Sequence, residues 1–91
     1  MDISPDQAQK LAQRYNLSTE AILGFHGELR EVWHKSHNYK PWEYSLAARE
    51  HIGAGDHRKA TTFWLVENAR RDRIGYSESL NRFIALSVPR Q

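Results

Sequence analysis

The sequence predicts an all-α protein, a compact bundle of about five short helices. Apolar residues recur every three to four positions in five separate segments, the spacing of one helix face. No stretch alternates polar and apolar with period two over a useful length, so no sheet is expected. Proline, glycine, asparagine and capping side chains punctuate the chain between those segments.

The first helix is predicted from Pro5. Ser4 precedes it and Gln7 follows three residues later, a capping-box pattern with proline at the first helical position. It runs to about Tyr15, with Ala8, Leu11, Ala12 and Tyr15 on one face. Asn16 can hold a left-handed turn. Ser18 or Thr19 then caps the second helix, and Glu20 suits the positive end of its dipole. Ile22, Phe25, Leu29, Val32 and Trp33 follow at helical spacing. Gly24 and Gly27 lie three apart here, each costing about 1 kcal/mol against alanine. Either they admit a close neighbour or the helix breaks between them.

The segment HKSHNYKP interrupts the pattern. Pro41 starts the third helix, with Trp42, Leu46, Ala47 and Ile52 on its apolar side. GAGD ends it, and Asp56 caps the fourth. Ala60, Phe63, Trp64, Val66 and Ala69 form the expected buried side of that helix, and Gly75 its close. Ser77 should cap the fifth helix, which buries Leu80, Phe83 and Ile84, with Leu86 or Ser87 at its end; Pro89 stops it. The expected core comprises Leu11, Ile22, Phe25, Trp33, Trp42, Trp64, Phe83 and Ile84.

Ninety-one residues are read as one domain, 1–91. Cysteine is absent, which excludes disulfides and thiolate chemistry and fits a reducing compartment. No apolar run approaches the roughly 20 residues of a membrane span, and MDISPDQAQK lacks the features of a signal peptide. A cytoplasmic protein without a membrane partner is expected. The net charge is +2, but residues 1–45 carry five basic and six acidic side chains, and 46–91 eight basic and five acidic. Any attraction for nucleic acid should therefore sit mainly in the second half.

The stretch from Ala8 to Gly27, AQKLAQRYNLSTEAILGFHG, resembles the helix-turn-helix of bacterial and phage DNA-binding proteins. Leu11, Tyr15, Leu17, Ile22 and Phe25 fall where that motif has apolar residues. Ala12 falls where its helices touch, and Asn16 where glycine is usual. The resemblance implies a helix-turn-helix-like corner over 5–37, with Ser18, Thr19, Glu20, Leu23 and Gly24 facing a DNA groove and Lys10 and Arg14 near phosphate. This set lacks Arg, Lys, Asn and Gln among its groove-facing members, the usual makers of bidentate base contacts. From Tyr44 to Trp64 the spacing resembles one tetratricopeptide hairpin, with Tyr44, Ala47, Ala48, His51, Gly55, Ala60 and Trp64 at packing positions. Glu67 and Asp72 depart from that pattern. The resemblance implies an antiparallel helix pair over 41–74, followed by a separate helix over 77–87. One such hairpin cannot build the concave groove of a repeat array.

Other clusters carry less chemistry. Arg58 and Lys59, with His57, open helix four against its dipole. There they either attract an anion or pair with Glu50. Arg70, Arg71 and Arg73 close the same helix, where Glu67 can pair with Arg71 at i,i+4. These five cations form the expected basic patch. Tyr39, Lys40 and Trp42 offer aromatic and cationic groups of the type that anchors protein interfaces. The five histidines have no zinc-ligand spacing, so no metal is expected. Glu28 with Glu31, or Glu43 with His51, are acid–base pairs in name only, and no nucleophile or phosphate loop accompanies them. The reading is a non-enzymatic binding module without a cofactor. It is first a DNA-binding regulator, acting as a homodimer because one short helix reads few bases. The alternative is a protein-binding adaptor or inhibitor with an aromatic and basic helical surface.

Overall fold

In a computed structural model, which describes residues 2–88, the chain folds into five α-helices and no strand appears among those residues. They are α1 (Pro5–Tyr15), α2 (Thr19–Lys35), α3 (Pro41–Gly53), α4 (His57–Arg70) and α5 (Tyr76–Ser87). The Pro89 stop lies outside the described residues.

Local chemistry sets most boundaries. The Ser4 hydroxyl accepts from the Gln7 N–H at 3.2 Å, and the Gln7 side chain accepts from the Ser4 N–H at 3.1 Å, completing the capping box. Asn16 adopts the left-handed region at φ 54°, and the Leu17 N–H reaches back to the Ala12 carbonyl at 2.9 Å. This is the six-to-one bond of a Schellman close. Gly55, at φ 83°, closes α3 in the same way, with the Asp56 N–H on the His51 carbonyl at 2.8 Å. Ser18 caps α2 by accepting from the Ala21 N–H, and Asp56 caps α4 by accepting from the Lys59 N–H at 3.0 Å.

Two boundaries differ from the sequence reading. Helix α4 ends at Arg70, and Asp72 (φ 58°) takes the left-handed closing position, not Gly75. The Arg73 N–H bonds the Asn68 carbonyl at 3.0 Å across it. Gly75, in extended conformation, becomes the N-cap of α5, so Ser77 lies inside the helix and caps nothing. Helix α2 runs unbroken through Gly24 and Gly27. A Cβ at either position would meet nothing within 4 Å, so neither a break nor a close approach explains them.

Helix α4 is the centre of the bundle. It buries Ala60, Thr62, Phe63, Leu65 and Val66, and packs on α2, α3 and α5. Such a helix has more than one buried side. The polar member, Thr62, is accommodated because its hydroxyl donates to the Lys59 carbonyl within the helix. The α3–α4 pair has the most extensive interface in the fold, where Ala48 and Ala60 are both fully buried. Small residues at both positions let the helices approach closely. Tyr44 reaches from α3 to donate to the Ser36 carbonyl at 3.1 Å, fixing that pair against the end of α2.

The core corrects the aromatic expectations. Ile22, Phe83 and Ile84 are fully buried, while Leu11, Phe25 and Trp33 are partly buried around them. Trp42 is 64 % exposed and Trp64 41 % exposed, so neither is core. Helix α3 carries apolar residues on two sides. Tyr44 and Ala48 are buried, whereas Leu46 and Ile52 face solvent with Trp42. On α4 Thr62 and Leu65 are buried beside Ala60, Phe63 and Val66, and Trp64 is turned outward. Leu86 is also exposed.

Candidate functional site

Helices α1 and α2 meet at the corner formed by Asn16 and Leu17. Ala12 is buried where α1 meets α2, and Ser18, Thr19, Glu20, Leu23 and Gly24 all lie exposed in the first turns of α2. The cations expected to accompany them do not share that surface. Thr19 and Leu23 flank a shallow groove with Pro5, Ala8 and Gln9 of α1. Lys10 and Arg14 are about 100° or more around α1 from Pro5 and Gln9, and line a different cleft, against α5. The Arg14 guanidinium donates there to the Asn81 side-chain oxygen at 3.1 Å.

The expected basic patch is largely engaged inside the protein. Arg58 forms a bidentate pair with Glu28 of α2, and its guanidinium lies over Phe25 at 5.0 Å and Phe83 at 5.3 Å. Lys59 pairs with Glu31 of α2 at 3.6 Å. The partners are therefore on α2, not Glu50 of α3. Glu28 and Glu31 balance the cations that oppose the dipole of α4. Arg70 stacks over Trp33 at 4.0 Å and donates to the Trp33 backbone carbonyl. Arg71 pairs with Glu67 at 3.9 Å, as the i,i+4 spacing implied. Arg73 is exposed, with no ion pair among the described residues.

The interface residues divide as well. Tyr39 is half-buried, edge-on to Tyr44 at 5.3 Å and stacked with Phe63 at 6.2 Å. Lys40 is the N-cap residue of α3, where its N–H donates to the Glu43 carboxylate at 3.1 Å. Trp42 points to solvent. With Leu46, one turn on, it flanks a shallow groove that also involves Tyr39, Ala47, Glu43 and Glu50. The periodicity puts Trp42 and Leu46 on the apolar side of α3, while the residue types of Tyr39, Lys40 and Trp42 also suit an interface. The sign of an outer position is the second apolar side of α3, carried by the buried Tyr44 and Ala48.

Among the described residues no three His, Asp or Glu side chains are grouped to hold a metal ion. His34 accepts from Arg30, and His51 stacks on Phe63 at 5.4 Å. His26, which the sequence reading did not single out, is buried and hydrogen-bonded through Nδ1 to the Tyr76 hydroxyl. Burial foremost, then the nearby Arg30, lowers the His26 pKa from its usual 6.5. Burial also raises that of the Tyr76 phenol. Both shifts favour the neutral forms of the two hydrogen-bonded groups.

The fold and surface define an all-helical bundle with an exposed aromatic face on its central hairpin. Among the described residues no helix is long and apolar enough to cross a membrane. Set against known proteins, the chain matches no family model, no curated protein and no solved structure.

Proposed function

We propose that the chain is a non-enzymatic protein-binding module that docks a partner on α3 through Trp42 and Leu46. The observation that carries this reading is the exposure of these two side chains, 64 % and 51 %, at i,i+4 on one helix beside a groove. Large aromatic side chains standing in water are the residue type that anchors protein interfaces when a partner covers them. The groove is rimmed by Glu43 and Glu50, so the partner of best complementarity is an amphipathic segment with an apolar anchor and Lys or Arg at its flanks. The internal pairing of Arg58, Lys59 and Arg71 disfavours a phosphate-binding role for the same hairpin.

The test is selection from a displayed peptide library, followed by measured affinities. Selected peptides are expected to pair an apolar anchor with basic flanks. Trp42→Ala should weaken them by at least about 2 kcal/mol, with the far-UV circular dichroism unchanged. Glu50→Lys should weaken them further. Binders indifferent to Trp42 and Leu46 would refute the docking face.

The exposure of Ser18, Thr19, Glu20 and Leu23 after the Asn16 corner supports a second reading, a dimeric DNA-binding regulator. Its signature is duplex binding whose log affinity falls linearly with log salt. Under that reading Arg73→Glu weakens binding to every sequence, and Ser18→Ala and Thr19→Ala change sequence preference. Absence of salt-dependent duplex binding at about 50 mM salt excludes it.

A further inference from the structure

Helices α1 and α5 are joined along one seam by side-chain hydrogen bonds. At one end the Gln7 side-chain amide donates to the Ser77 hydroxyl at 3.1 Å. At the other, the Tyr15 hydroxyl and the Arg14 guanidinium both donate to the Asn81 side-chain oxygen, at 2.6 and 3.1 Å. Between these bridges lies a cleft of about 220 Å³, with Ile3, Leu11 and Leu80 among its apolar lining. Lys10 also lines it, at a sequence position between the bridging residues of α1, and no carboxylate lies within ion-pair distance of its ammonium among the described residues. The carboxylate that shares the cleft, Glu78, is bound to Arg82 at 3.1 Å.

We infer that this cleft binds a small amphipathic carboxylate, with its apolar body on the half-buried Ile3 and Leu11 and its carboxylate on Lys10. Apolar side chains beside two cations, Lys10 and the Arg14 guanidinium already bound to Asn81, suit that chemistry. The size argues against a macromolecular occupant. Seven residues separate Gln7 from Arg14, about 10 Å of helix, and a docking helix is itself about 10 Å wide. It would have to break both bridges to lie along the seam. This inference is independent of the α3 surface proposed above.

The probe is hexanoate, titrated into the full chain and followed by assigned amide resonances, with hexanamide as its uncharged match. Hexanoate should give saturable shifts centred on Ile3, Leu11 and Ser77. Hexanamide should bind more weakly. Lys10→Gln, a change at an exposed position, should weaken hexanoate about threefold to fivefold, the loss of one partly exposed ion pair, while leaving hexanamide unchanged. Leu11→Phe, which fills the cleft, should weaken both. The inference is overturned by shifts that do not saturate or that centre elsewhere, by equal binding of the two probes, or by a Lys10→Gln affinity equal to that of the unmodified chain.

Discussion

His26 sits between α2 and α5 with its imidazole bonded to Tyr76, and burial favours its neutral form. The folded-state pKa therefore lies below the unfolded value of 6.5. The unfolded chain takes up a proton first as pH falls, so this group's contribution is fully present above 6.5 and is lost below it, down to the folded pKa. Thermal midpoints measured from pH 7.5 to about 5 should decline, and His26→Gln should flatten that decline. An unchanged slope in the variant would assign the effect to other groups. Phe63 and Trp64 make a second contrast at adjacent positions. Phe63→Ala should cost about 3–5 kcal/mol in chemical denaturation because the ring is fully enclosed. Trp64→Ala should cost about 1 kcal/mol or less, since much of its ring already meets water. Hydrophobicity alone could not separate the two. On α4 both fit an apolar stripe, and packing on three neighbouring helices decides which one turns outward.

At the scale of the element, caps were the most legible feature. Ser4 with Gln7, Asn16, Ser18, Gly55 and Asp56 act within a few residues of themselves, so their chemistry is written locally. The start of α5 was not legible, because Gly75 caps it without a side-chain bond and Asp72 had already turned the chain. Asn16→Ala should lower stability by about 1 kcal/mol, because alanine gains nothing to offset the left-handed conformation, and Asn16→Gly should be close to neutral. The glycines of α2 work in the opposite direction. With nothing within 4 Å of an added Cβ, Gly24→Ala and Gly27→Ala should each raise stability by about 1 kcal/mol. Calorimetry of the double variant checks this, and a lower midpoint would refute it.

Across the whole molecule, charge is arranged by contacts between distant segments. The sequence showed an excess of cations in the second half, but it could not show that Arg58 and Lys59 meet Glu28 and Glu31, thirty and twenty-eight residues earlier. The sequence offers Trp42 both as core and as an interface anchor. Whether Trp42 lies in or out depends on Tyr44 reaching Ser36 and on Ala48 meeting α4, neither of which periodicity reports. Glu28→Gln with Glu31→Gln should release both cations. Retention on a heparin column should increase, while stability changes by about 1 kcal/mol or less, as expected for partly exposed pairs. Unchanged retention would show that these cations already face solvent freely.

The attachment of α1 has a consequence for how the protein opens. Its buried side chains are two alanines, and its ties to α5 are hydrogen bonds near the surface, whereas α4 is enclosed by three helices. Native-state hydrogen exchange should therefore show α1 detaching as a cooperative unit while the α3–α4 hairpin stays closed. Its amides should exchange through an opening that costs less than global unfolding, and those of Phe63 and Val66 only through global unfolding. Occupying the cleft between α1 and α5 with hexanoate would then slow exchange in α1 first, giving the N-terminal helix the role of a reporter on its own seam.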